Sequence, residues 1–297
     1  MYNDNDNRYW QDVYSAAKKS KIGKTRRGVR GRGGQPGSFR SIMGYVRWDI
    51  FGAFVILMGF FGFVLWNDNN DKWRVPGTIG FIITGWVFSL CLHEFAHAAT
   101  AYMGGDHSDS TISYLSFNPL KYVHPVLSIV MPVIFVLLGF IPLPGGAVYL
   151  RRDLVRSRGW QSMISAAGPA MNLLFLIALA IPFAVTDPLL FFLHHENLTI
   201  ALATLAFFQA AAVVLNLIPI PGLDGFGIIE PWLSYEVRAA LQPFYAYGFL
   251  ILFLLIWQVP AFNQMYFNGI ARLLNTVKID PGFVDLSIFN FLRPRGL

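Results

Sequence analysis

Between Ile79 and Tyr102 the chain carries no Lys, Arg or Asp, yet it holds His93-Glu94-Phe95-Ala96-His97. An apolar run of this length fits a bilayer span, and within lipid a span must be a helix or part of a closed barrel. On a helix, residues four apart share a face, so His93 and His97 point the same way. Two imidazoles so placed can hold one zinc ion, and the carboxylate of Glu94, about 100° round the helix, can reach the water that such an ion activates. The alternative for such residues is a pair of buried polar groups at a helix interface. In lipid that arrangement is costly, because a Glu and two His near mid-helix need partners or a task.

The rest of the chain agrees with a membrane setting. Its 297 residues are 55% hydrophobic and only 13% charged, where soluble domains carry about 25% charged residues. Several apolar runs reach the ~17 residues that cross a bilayer. The single Cys91 excludes an intramolecular disulfide and a cysteine-based zinc site, and reads as a packing residue. The net charge of +6 belongs to one end: residues 1–49 carry +7 and the remainder −1.

Taken in order, Met1 to Phe39 is polar, with Lys18-Lys19-Ser20-Lys21 and Arg26-Arg27-Gly28-Val29-Arg30. It cannot bury enough apolar surface to fold alone. Its charge is expected to hold the N-terminus in the cytoplasm, with anionic lipid as a second possible contact. Nucleic acid is not among the expected partners. Five transmembrane helices are expected, over Tyr45–Trp66, Gly77–Met103, Gly159–Val185, Leu198–Leu217 and Pro243–Pro260. Between the second and third lies Val126–Ile141, a marginal span holding Pro132, followed by Leu143-Pro144-Gly145-Gly146 and a short extended run to Leu150. Arg151 to Arg158 holds four arginines, which favours the cytoplasmic side. A re-entrant hairpin with a short β segment over 126–150 satisfies that rule and brings the later helices back at the depth of His93. The expected organisation is a basic disordered tail at 1–44, a membrane-embedded core at 45–260, and an interfacial C-terminal segment at 261–297.

A catalytic zinc needs a third protein ligand and an open position. Topology directs attention to Asp224, among Pro219, Pro221, Gly222 and Gly225, where a span ends at the depth of His93 and His97. An Asp in such a turn can equally cap the next segment. His107, His124, Asp106, Asp153 and Glu230 are rivals, and His124 could line the site from the mouth of the hairpin.

Three motifs in this order, His93-Glu94-x-x-His97, Gly168-Pro169-x-x-Asn172, and Asn216-x-x-Pro219 followed by Leu223-Asp224-Gly225, resemble the site-2 protease family of intramembrane zinc metalloproteases. Asn118-Pro119-Leu120-Lys121 resembles its compact bacterial branch, without PDZ or cystathionine-synthase-like domains. The resemblance implies an all-α polytopic protein of the cell membrane with one Zn2+ per chain, held by His93, His97 and Asp224. It implies Glu94 as catalytic base and Asn216 as an oxyanion- or substrate-positioning group. It implies regulated intramembrane proteolysis, with membrane-protein segments as substrates. The short extended run beside Gly145-Gly146 suggests in addition that an unwound substrate pairs with Gly146–Leu150 as an added strand. Two departures stand out: Tyr122-Val123-His124-Pro125 where that branch has His-x-Asp-Pro, and Phe226-Gly227 after the Asp-Gly. They leave the catalytic set intact and weigh against shared substrates. The competing class is a non-catalytic zinc-binding scaffold or transporter; an acid beside the two ligands argues against it, since a binding site alone needs no base. No oligomeric state follows from the sequence.

Overall fold

A computed structural model describes residues 38–67, 72–121 and 154–284, and these are helical throughout, with no strand among them. In chain order the helices are α1 (Phe39–Met43), α2 (Trp48–Trp66), α3 (Arg74–Gly104), α4 (Asp109–Tyr114), α5 (Arg158–Val185), α6 (Pro188–His194), α7 (Glu196–Asn216), α8 (Asp224–Ile229), α9 (Tyr235–Leu241), α10 (Gly248–Gln258) and α11 (Pro260–Thr276). Four of them, α2, α3, α5 and α7, are long and apolar enough to cross a membrane. Each matches an expected span to within three residues at either end.

The sequence dictates this arrangement by what it exposes. On α2, Val55, Ile56, Phe60 and Phe63 face outward, which is stable only where the solvent is itself apolar. Trp48 and Trp66, both about half exposed, bracket that helix about 27 Å apart at 1.5 Å per residue, the spacing of interfacial anchors on a hydrocarbon core of about 30 Å. By contrast α7 is 94% buried over its span and is the post around which the others pack. It runs parallel to α3, with Gly85 facing Leu205 and Ser89 facing Gln209. An added Cβ at Gly85 would collide with the Leu205 side chain, so this glycine sets how closely the two helices approach. Helices α2 and α5 each lie antiparallel to α3: Phe61 and Leu65 pack on Gly80 and Gly77, while Ile164 and Asn172 meet His97 and His93.

The fifth expected span, Pro243–Pro260, is not one straight helix. It resolves into a 3-10 turn at Gln242–Tyr247 and the 11-residue α10, and the helical stretch Tyr235–Tyr245 meets Leu250–Gln258 at a bend of 77°. Hydropathy alone could not reveal this. Pro243 starts a tight turn, and the backbone of Gly248 packs directly on the carbonyl of Pro221, which fixes the break against the loop leading to Asp224. The expected re-entrant hairpin and β segment over 126–150 lie outside the described residues, as do the tail before residue 38, His124 and Asp153. Among the described residues the architecture is helical, without a strand.

Candidate metal centre

Helix α3 carries His93 and His97 in its C-terminal half, His93 lying about 30 Å along the helix axis from Trp73 at 1.5 Å per residue. Both imidazoles are buried. Their Nε2 atoms are 3.0 Å apart. Asp224, the first residue of α8, meets them with its carboxylate: Oδ2 lies 3.2 Å from Nε2 of His93 and Oδ1 lies 3.3 Å from Nε2 of His97. Two imidazole nitrogens and a carboxylate oxygen thus converge on one point from residues 131 positions apart in the chain. Among the described residues this is the one group of His, Cys, Asp and Glu able to gather three ligand atoms so closely.

The surroundings explain how such a polar cluster is kept in an apolar fold. His97 Nδ1 donates to the backbone carbonyl of Ile164 at 2.6 Å; a carbonyl only accepts, so the proton is on Nδ1 and the lone pair on Nε2. His93 Nδ1 pairs with Oδ1 of Asn172 at 2.5 Å. Outer partners of this kind orient metal-binding imidazoles.

Two glycines make the approach of three elements possible. A Cβ at Gly168 would fall 2.6 Å from Nε2 of His93 and closer still to Nε2 of His97. Only a residue without a side chain therefore lets α5 approach both rings this closely. A Cβ at Gly225 would strike the carbonyls of Leu217 and Ile218, so the Asp-Gly pair is what lets α8 fold back onto the end of α7. Helix α8 is then tied to α5: the Ser162 hydroxyl donates to the Ile228 carbonyl at 2.7 Å, and Trp232 Nε1 donates to Ser162 at 2.9 Å.

Glu94 is buried on the same turn of α3, directly after His93 and three residues before His97. Asn216 is the last residue of α7, half buried, eight positions before Asp224. Among the rival ligands, Asp106 is fully buried but occupied: it accepts from Thr111 Oγ1 at 2.6 Å and from the Ser108 amide at 3.0 Å, closing the turn after α3. His107 rests edge-on against Tyr102. Glu230 starts the 3-10 turn after α8 and is not in the cluster. Cys91 is buried beside Phe88 and Phe117, the packing role read from its spacing. The sequence reading named Asn172 only as part of a motif, and it missed Ile164, Ser162 and Gln209 altogether. Only Gln209 carried a signal, as a lone amide within an otherwise apolar stretch.

A bundle with several helices apolar enough to cross a membrane and a buried His-His-Asp group that could hold a metal ion defines a class, the multi-pass membrane metalloproteins. Comparison with known proteins narrows it. The chain is 47% identical over 193 residues to "Putative zinc metalloprotease Rip2" of Mycolicibacterium smegmatis, a match covering 65% of this chain and 72% of that protein. Its namesake in Mycobacterium tuberculosis is 43% identical over 200 residues, covering 67% and 74%. "Putative zinc metalloprotease YwhC" of Bacillus subtilis is 29% identical over 192 residues, covering 61% and 81%. No protein-family model matches the chain, and no solved structure does. The chain belongs to the site-2 protease family, whose metal is zinc. The donor set fits that ion, which takes few, compact nitrogen and oxygen ligands, and three such atoms lie within 4.8 Å of one another.

Proposed function

We propose that this protein is an intramembrane zinc endopeptidase that hydrolyses peptide bonds in or next to transmembrane segments of other membrane proteins. The observation that supports it most strongly is the convergence of His93, His97 and Asp224 inside a bundle whose outer surface is apolar. In this reading His93 Nε2, His97 Nε2 and an Asp224 oxygen hold the metal. When bound, zinc lowers the pKa of its water and polarises a carbonyl. The carboxylate of Glu94 takes a proton from the attacking water and delivers it to the leaving amine. Asn216 offers an amide donor to the oxygen that becomes negative as the carbonyl is attacked. The basic N-terminal segment holds the N-terminus in the cytoplasm, with the metal nearer that face, and the interfacial segment after residue 260 closes the bundle.

Purified protein reconstituted in liposomes with a panel of single-span membrane proteins tests this. Cleavage should fall in or beside the spans, stop with 1,10-phenanthroline and return on adding zinc. Equal cleavage of soluble unfolded proteins, or chelator-resistant cleavage, would contradict it. Asn216→Ala is expected to lower kcat by about 10²-fold, the scale of one lost oxyanion donor, while zinc content stays at the wild-type level. A change confined to KM would instead make Asn216 a substrate-binding group.

A further inference from the structure

Two buried polar side chains near the cluster have no role in the chemistry above: Gln209 on α7, 1% exposed, and Ser89 on α3, 3% exposed. Gln209 follows Phe207 and Phe208 in a span buried almost throughout. An amide there is costly unless every polar atom is matched. Both residues are matched, and by each other. Beyond His93 and Asn172, the Asn172 Nδ2 donates to Gln209 Oε1 at 3.0 Å. Gln209 Nε2 donates to Ser89 Oγ at 3.1 Å, and Ser89 Oγ donates to the Trp86 carbonyl at 3.0 Å.

An amide can be turned end for end, so this chain of donors has two self-consistent directions in principle. Run backwards, Ser89 would donate to Gln209, Gln209 to Asn172 and Asn172 to His93 Nδ1. The imidazole proton would then sit on Nε2, where it excludes a metal. The Trp86 carbonyl decides between them. It can only accept, so it takes the one hydroxyl hydrogen of Ser89. The Ser89 oxygen must then accept from Gln209, which turns Gln209 Oε1 toward Asn172 Nδ2 and Asn172 Oδ1 toward His93 Nδ1. Without Gln209 the Asn172 amide loses the partner that fixes its direction.

We propose that Gln209 and Ser89 are positioning residues which, through Asn172, hold His93 in the tautomer whose Nε2 lone pair faces the metal position. This rests on the ligand set proposed above. The test uses the full chain in detergent, with zinc affinity measured by competition against a chromophoric chelator and the visible spectrum of the Co2+-substituted protein. Gln209→Leu is expected to bind zinc about tenfold more weakly, the low end for loss of an outer partner, and to alter the Co2+ bands. Gln209→Glu, buried and so protonated, supplies the same acceptor and donor and should restore both. Asn172→Ala combined with Gln209→Leu should be no weaker than Asn172→Ala alone, since the effect passes through Asn172. Wild-type affinity and spectrum in Gln209→Leu would overturn the proposal, even with a lowered melting temperature. If that variant does not accumulate, Ser89→Ala carries the test: a few-fold weaker zinc binding is expected, and unchanged binding overturns the proposal. His97→Ala separates the two readings. Zinc lost there but retained at full affinity in Gln209→Leu refutes the relay alone, whereas zinc retained in His97→Ala refutes the ligand set.

Discussion

Glu94→Gln should lower the cleavage rate by 10²–10⁴-fold, the range for a lost general base, while the protein keeps its full zinc content. The two effects separate because Glu94 follows His93 directly and so lies about 100° round the helix from the face the ligands share. It is buried beside them without belonging to the group whose donor atoms converge. Gln preserves the volume and one hydrogen-bonding oxygen but cannot accept a proton. The measurement pairs cleavage of a reconstituted single-span substrate with zinc analysis of the same preparation. A scaffold or transporter would be indifferent to this change, so cleavage at the wild-type rate, or zinc transport unaltered in the variant, would reject the protease reading. The inactive variant also serves as a trap, since what co-purifies with it in membranes reports the substrate.

Gly168→Ala should abolish zinc binding, and cleavage with it. A methyl group at this position would come 2.6 Å from Nε2 of His93 and nearer to Nε2 of His97, so both ligand rings would have to move from where Asp224 meets them. The loss cannot be blamed on the helix, because Ala is the better helix former by about 1 kcal/mol. Metal analysis and circular dichroism on the same sample distinguish the cases: helicity retained with zinc absent is expected, and a full complement of zinc would show that the ligand rings do not depend on the close approach of Gly168. An Ala at Gly52, whose Cβ would meet nothing within 4 Å, serves as the control and should hold zinc normally.

How far these features could be read in the chain follows from the physics of each. His93, Glu94 and His97 were legible because helical periodicity alone places them, and an apolar span makes such residues expensive without a task. Asp224 was legible through topology: two crossings after Arg158 return the chain to the depth of the histidines. Gly168 and Gly225 were legible as motif members, but their reason is steric and appears only when α5, α7 and α8 are brought together. Ile164 could not be foreseen, since a backbone carbonyl has no sequence signature. Gln209 had one, a single amide within Ala206-Phe207-Phe208-Gln209-Ala210, and the expense of a polar group at that depth was reason enough to single it out. The bend at 242–248 escaped hydropathy because an apolar count is blind to Pro243 and to the packing of Gly248 against Pro221.

The central claim is that two imidazoles from one helix and a carboxylate from a distant turn hold a single zinc ion. Zinc K-edge X-ray absorption with metal stoichiometry, on the wild type and on Asp224→Ala, addresses it most directly. One zinc per chain is expected, with two imidazole nitrogens and a carboxylate oxygen in its shell, and that oxygen should disappear together with most of the zinc in the variant. A wild-type shell containing sulfur, or an Asp224→Ala protein with undiminished zinc and an unchanged spectrum, would contradict it.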